Sequence, residues 1–287
     1  MEGGDARVVD TGGAALQCHV FGEGPLVVLA HGFPDCARSF RHQVPALVAA
    51  GFRVAVPSLR GYAPSSPARD GRYDAGALGN DLVVVARTIG GGQPARLVGH
   101  DWGAIAAYAA CALAPGAFSH LCTIAVPHLR ALGPGLLLDL AQLRRSWYVA
   151  LFQIPRLAER RLAADDLALV DRLWRDWSPG WTAPAEELRA VKDAMRNRIP
   201  EVLAYYRALK QPGYPRHLLM ERTRVPALYV HGRQDGCMGV GLTDGCERGY
   251  TGPIAVHRLA GGHFVHQENS EEFNRVLLGF LRQPRSP

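Results

Sequence analysis

No run of eighteen apolar residues occurs in this chain, so the pattern of a membrane-spanning helix is missing. The opening residues, Met-Glu-Gly-Gly-Asp, lack the basic and then apolar order of a secretory signal. A soluble, cytoplasmic protein without a membrane partner is therefore expected. The six cysteines, Cys18, Cys36, Cys111, Cys122, Cys237 and Cys246, have no framework spacing, and several stand in apolar runs, where cysteine behaves as a small hydrophobe. Neither disulfides nor zinc are expected. His263 and His266 form the closest histidine pair but lack a nearby third ligand, so no metal site is expected. There is also no Lys/Arg block, no internal repeat and no low-complexity segment.

Hydrophobic residues make up 48% of the 287, enough for a sizeable core in one large domain or two ordinary ones. The formal charge is +6, and most of it lies in residues 129–222, which hold 16 Lys and Arg against 11 Asp and Glu. There Arg144, Arg145, Arg160 and Arg161 alternate with acids and aromatics at helical spacing. That describes a solvated helical face, and no nucleic-acid partner is expected.

Along the chain, residues 14–21 read as an early strand in a Gly-rich start. Residues 25–30, Pro-Leu-Val-Val-Leu-Ala, are almost wholly apolar, as a central parallel strand covered on both faces would be. A helix over 38–50, a strand over 52–57 and a Pro/Ser loop follow. Asp74 reads as the N-cap of a helix to about Ile89, closed by three glycines. Residues 95–98 read as a buried strand, 104–114 as a helix and 118–126 as another strand. This alternation argues for a doubly covered parallel sheet. From about Leu129 strands vanish for some ninety residues, replaced by short helices broken at Pro155, Pro179, Pro184, Pro200 and Pro212. Strands return at 225–231 and 254–259, before a helix over 271–281.

The turn within Leu97-Val-Gly-His-Asp-Trp-Gly103 reverses a strand straight into a helix. Its central residue must take a strained backbone conformation, and Gly99 and Gly103 supply the room. Asp101 holds the position of a nucleophile, although a capping Asp in a Gly-bounded turn would have the same look. Two other strand ends carry Gly232-Arg-Gln-Asp235 and Gly261-Gly-His263. Both emerge where ligands bind in open α/β sheets. The order nucleophile, acid, histidine is that of the α/β hydrolases, with Asp235 orienting His263 as general base. His266 is the rival base, but it lies deeper in the loop and has no glycine pair before it. The loop His31-Gly-Phe-Pro34 can aim the Phe33 N–H at a developing oxyanion, with the Trp102 N–H as its partner.

Together these residues resemble the soluble-type epoxide hydrolases of the α/β-hydrolase fold, through His31-Gly-Phe-Pro34, Gly99-His-Asp-Trp-Gly103, Asp235 and Gly262-His263. The segments Trp147-Tyr148-Val-Ala-Leu-Phe152-Gln-Ile-Pro155 and Tyr205-Tyr206-Arg-Ala208 look like those that carry the family's two cap tyrosines. The resemblance implies a mostly parallel eight-stranded sheet with helices on both faces. It divides the chain into core residues 1–128, a helical cap 129–222 and core residues 223–287. It implies Tyr148 and Tyr206 as donors to the epoxide oxygen. It implies a substrate lining from His31, Phe33, Pro34 and Trp102, and from Trp147, Phe152 and Tyr205 in the cap. The expected substrate is a small hydrophobic epoxide, attacked with water and without a cofactor by a monomer or homodimer. Ser58 and Ala63 depart from the family's D-x-R-G-x-G loop, and Ala204 stands where an Asn often precedes the second tyrosine pair. The alternative is a haloalkane dehalogenase, which shares the Asp-Trp pair but whose H-G-N-P loop gives an Asn donor where this chain has Phe33. A low-turnover receptor on the same fold is the non-enzymatic alternative.

Overall fold

The computed structural model describes residues 3–132 and 139–284. Eight strands form one sheet in the order β1-β2-β4-β3-β5-β6-β7-β8. They are β1 Asp5–Asp10, β2 Ala15–Phe21, β3 Leu26–Ala30, β4 Arg53–Pro57, β5 Ala95–His100, β6 Phe118–Ile124, β7 Ala227–Gly232 and β8 Ile254–Leu259. β1 and β2 pair antiparallel, as do β2 and β4, and every later pairing is parallel. The sequence reading missed β1 because only Val9 on it is buried. An edge strand of this kind is fixed by backbone pairing with β2 and leaves no apolar alternation to read.

Helices α1 Gln43–Ala49, α2 Ala75–Gly90 and α3 Trp102–Leu113 connect the early strands, and α11 Val265–Glu268 and α12 Ser270–Leu281 close the chain. Alternate residues of the sheet feed two cores, as the two-residue period of a strand requires. Leu26, Val28 and Ala30 of β3 pack in the cluster that holds α2 and α3. Val27 and Leu29 pack in the cluster that holds α1 and α12. Asp74 caps α2 by accepting from the Gly76 and Ala77 N–H groups at 2.9 and 3.1 Å. Gly91, at φ 60°, ends the helix in the left-handed conformation.

Between β6 and β7 lie α4 Leu129–Leu132, α5 Leu140–Arg145, α6 Trp147–Phe152, α7 Leu157–Trp177, α8 Ala185–Met195, α9 Ile199–Ala208 and α10 Arg216–Met220. Pro200 begins α9 and does not break it, because proline is tolerated in the first turn, whose N–H groups have no intrahelical acceptor. The sharp interruption falls instead inside α7, where Asp165, Asp166 and Leu167 are left-handed. Short polar side chains tolerate that region best, and Asp166 there meets Arg196 and Lys192. Among the described residues no helix is long and apolar enough to cross a membrane.

Candidate active site

Four loops leave the carboxyl ends of the parallel strands β3, β5, β7 and β8, and each delivers one group to the same point. At the end of β5, Asp101 adopts φ 51° and ψ −118°, a costly conformation for a side chain with a Cβ. The neighbouring glycines explain how it is accommodated. A Cβ on Gly99 would strike the Gly103 carbonyl, one on Gly103 the Ala30 carbonyl, and one on Gly32 the Asp101 side chain. The turn therefore places the buried carboxylate at the head of α3.

The two oxygens of Asp101 have different surroundings. Oδ1 accepts the Phe33 N–H at 2.7 Å, and Oδ2 lies 3.6 Å from His263 Nε2, too long for a hydrogen bond. His263 Nδ1 pairs with Asp235 Oδ2 at 2.9 Å. Asp235 is itself fixed, because its Oδ1 accepts the N–H groups of Cys237 and Met238 at 2.7 and 2.8 Å. Burial works against a positive charge on His263, but the Asp235 and Asp101 carboxylates outweigh it and raise its pKa to about 10. Trp102 is the first residue of α3, where a backbone N–H has no intrahelical acceptor and stays free for an anion.

Over the carboxylate sits a set of aromatic side chains from the inserted helices. Tyr148 and Phe152 come from α6, Trp177 from the end of α7, and Tyr206 from α9. Tyr206 lies 5.2 Å from the rings of Phe33 and of Trp102, and 5.7 Å from that of Tyr148. Phe152 packs edge-on against Phe33 at 5.4 Å. Among the described residues the buried Tyr206 hydroxyl makes no well-formed hydrogen bond, and neither does His263 Nε2. The Tyr148 hydroxyl has only the Cys237 sulfur, 3.3 Å away. Burial lifts both phenols well above their ordinary pKa, with the Asp101 charge adding to the effect. Both are proton-bearing donors at neutral pH.

Four residues expected to line substrate also have protein partners. His31 is a strut: Nδ1 donates to the Gly32 carbonyl at 3.0 Å and Nε2 accepts the Leu59 N–H at 3.1 Å. Those partners fix one neutral tautomer, and burial lowers the pKa to about 4. The Pro34 carbonyl accepts the Trp174 indole N–H at 2.6 Å. Trp147 is half-buried and carries the Arg172 guanidinium 4.8 Å from its ring. The Tyr205 hydroxyl is spent on the Arg60 carbonyl at 2.7 Å, which separates it from its neighbour Tyr206. His266, the rival base, is held through Nε2 by the Ser39 hydroxyl at 2.7 Å, and burial takes its pKa well below the usual value.

The sequence reading missed three residues. Trp177 packs its ring 5.0 Å from His263 and 4.9 Å from Tyr148, while its carbonyl accepts the N–H groups of both His263 and Gly236 at 3.0 and 2.9 Å. An aromatic at the end of an amphipathic helix gives no sign of such a carbonyl. Arg60, fully buried, meets Asp81 with two bonds of 2.6 and 2.7 Å. Its place in Leu59-Arg-Gly-Tyr62 marked the loop but not the partner. Cys237 is the third. Among the described residues, two groups of metal-ligating atoms lie within 4.8 Å of one another, Asp35-His100-His266 and Asp235-Cys237-His263. The second is the acid-base pair itself, and in the first Asp35 already accepts from Cys36, Ser39 and Gln267.

Residues 25–269 match the alpha/beta hydrolase fold family. Epoxide hydrolase A of Mycobacterium tuberculosis is 31% identical over 96% of each chain. The crystal structure of Epoxide Hydrolase A from Mycobacterium thermoresistibile superposes with a TM-score of 0.80 at 30% identity, over 97% of this chain and 98% of that one. A Bacillus megaterium epoxide hydrolase solved in complex with an inhibitor gives 0.83 at 26% identity, over 96% and 100%.

Proposed function

This chain belongs to the α/β-hydrolase fold family beside epoxide hydrolases, and we propose that it hydrolyses small hydrophobic epoxides to vicinal diols through an ester on Asp101. The observation that carries this reading is a carboxylate with its two oxygens in different hands, beneath two protonated phenols. Phe33 holds Oδ1, which leaves Oδ2 to attack. In the first step the Oδ2–carbon bond forms from the back as the ring carbon–oxygen bond breaks. The departing oxygen takes its proton from Tyr148 or Tyr206. Residues 129–222 act as the cap that brings these phenols, and 1–128 with 223–287 as the core beneath it.

In the second step Oδ1 is the ester carbonyl, set against the N–H groups of Phe33 and Trp102. His263 takes a proton from water as the hydroxide adds to the carbonyl carbon, then returns it to the diol oxygen as the acyl bond breaks. The acid left on Asp101 then gives its proton to His263, 3.6 Å away, which restores the resting imidazolium. Charge makes the order of events self-consistent. While Asp101 is ionised, two carboxylates hold the His263 proton. Esterification removes one of them, so the imidazolium releases its proton, which goes to the tyrosinate and restores the phenol, and His263 is left a neutral base just when one is needed.

The test is His263→Gln mixed with styrene oxide and followed by intact-protein mass. A stable adduct that maps to Asp101 is expected, because ester formation needs no base and ester hydrolysis does. An unmodified protein that still makes diol would refute the reading, and Asp101→Ala must give neither adduct nor diol.

A further inference from the structure

The two phenols over Asp101 are not equivalent. Tyr206 presents a hydroxyl without a well-formed hydrogen bond, whereas Tyr148 presents one tied to the Cys237 sulfur at 3.3 Å. The sulfur is placed there by its own backbone. The Cys237 N–H donates to Asp235 Oδ1 at 2.7 Å, and its carbonyl accepts the Gln142 side-chain amide of α5 at 2.8 Å. Gln142 is buried and also accepts the Gly239 N–H at 3.0 Å. The acid loop is thus clamped from the inserted helices, and the Cys237 side chain held there faces Tyr148.

We propose that Cys237 is a positioning residue for ring opening: its thiol turns the Tyr148 hydroxyl toward the reacting oxygen and supports the charge left when the Tyr148 proton departs. Sulfur is a weak acceptor, so the resting phenol loses little when it exchanges sulfur for an epoxide oxygen. Once the phenol points at substrate, the S–H can donate to the phenol oxygen. During ring opening the Asp101 Oδ2–carbon bond forms, the ring carbon–oxygen bond breaks, and the Tyr148 proton moves to the departing oxygen. The sulfur keeps its own proton throughout and only donates a hydrogen bond. Burial, with the Asp235 and Asp101 charges, pushes the thiol well above its ordinary pKa. The group therefore stays an S–H donor and does not become a thiolate that the epoxide would alkylate.

The inference rests on the role of Tyr148 proposed above, and a double-mutant cycle separates the two. Single-turnover ester formation from styrene oxide is measured in wild type, Cys237→Ala, Cys237→Ser, Tyr148→Phe and the Tyr148→Phe/Cys237→Ala pair. Ester hydrolysis is followed separately. Removing one weak hydrogen bond should slow ester formation in Cys237→Ala by about 2- to 10-fold. Cys237→Ser should recover most of the rate, and ester hydrolysis should not change. In the Tyr148→Phe background the cysteine change should cost nothing further. An equal loss in both backgrounds, or a loss confined to hydrolysis, would mean that Cys237 only shapes the Asp235 loop and would overturn the inference. If Cys237→Ala does not fold, Cys237→Val, which keeps most of the volume and removes the hydrogen-bonding sulfur, makes the same comparison with and without Tyr148→Phe. Wild-type ester formation in Tyr148→Phe alone would remove Tyr148 from the chemistry, and this inference with it, while leaving Asp101 and His263 untouched.

Discussion

Neutralising Asp101 without changing its shape should move the His263 titration by pH units. Oδ2 stands 3.6 Å from Nε2, both groups are buried, and at an effective dielectric of about 20 their attraction is about 4–5 kcal/mol, or about 3 pH units. In wild type His263 titrates at about 10, so in Asp101→Asn the midpoint should fall to about 7, near the pH at which the proposed ester intermediate must be hydrolysed. The assay is two-dimensional imidazole nitrogen NMR from pH 5 upward, with His263→Gln to assign the signal. His31, His100 and His266 serve as internal standards, since burial holds all three neutral. The same pair leaves a stability signature. An unfolded histidine titrates near 6.5, so the stability gained from the raised pKa is complete below about pH 6.5 and fades as pH climbs toward 10. Asp101→Asn should flatten that decline. A wild-type midpoint near 6.5, or one that Asp101→Asn leaves in place, would refute the charge argument.

Tyr206→Phe should slow ester formation by about 10- to 1,000-fold and leave thermal stability unchanged or raised, because its hydroxyl is buried without a well-formed hydrogen bond. Tyr205→Phe should do the reverse: it strands the Arg60 carbonyl at a cost of about 1–3 kcal/mol and keeps ester formation near the wild-type rate, and a swap of these two phenotypes would mean that the wrong tyrosine had been chosen. Asp81→Asn leaves the fully buried Arg60 with only the part-exposed Asp70 as counter-charge and should cost about 3–5 kcal/mol in urea unfolding. A loss under about 1 kcal/mol would show that Arg72, Ala77 and Asp70 satisfy the guanidinium unaided. Finally, diol release from styrene-type epoxides should exceed halide release from 1-chloroalkanes, and the opposite ranking would hand the same Asp-His-Asp geometry to the dehalogenase alternative.

What could be read from the sequence is what sterics writes into it. Gly99, Gly103 and Gly32 are demanded by backbone atoms that would otherwise collide, so the elbow is legible even though no side chain there advertises a nucleophile. Asp235 and His263 are legible because strands must end somewhere, and a polar residue after a glycine at such an end is conspicuous. The two phenols were harder. Tyr205 and Tyr206 are adjacent on one helix, about 100° apart in direction, and only the packing of α9 decides which hydroxyl meets the Arg60 carbonyl and which ring packs on Phe33. His31 shows the same limit, since the loop sequence does not tell that both its ring nitrogens meet backbone partners.

What residue type alone does not show is how these groups act, which is through what they leave unsatisfied or through their backbone. Buried polar atoms in folded proteins are nearly always paired, yet Tyr206 Oη and His263 Nε2 make no well-formed hydrogen bond, and Tyr148 has only sulfur. Each of these atoms faces a partner that exists only during reaction in the proposed cycle: the epoxide oxygen for the phenols, water for the imidazole. Trp177 makes the complementary point. Its single carbonyl takes the N–H of the base and the N–H beside the acid, so the helices that bring the phenols also fix the spacing between Asp235 and His263. Loosening α7 at Trp177 would therefore disturb both half-reactions at once, whereas changing Tyr148 or Cys237 should touch only the first.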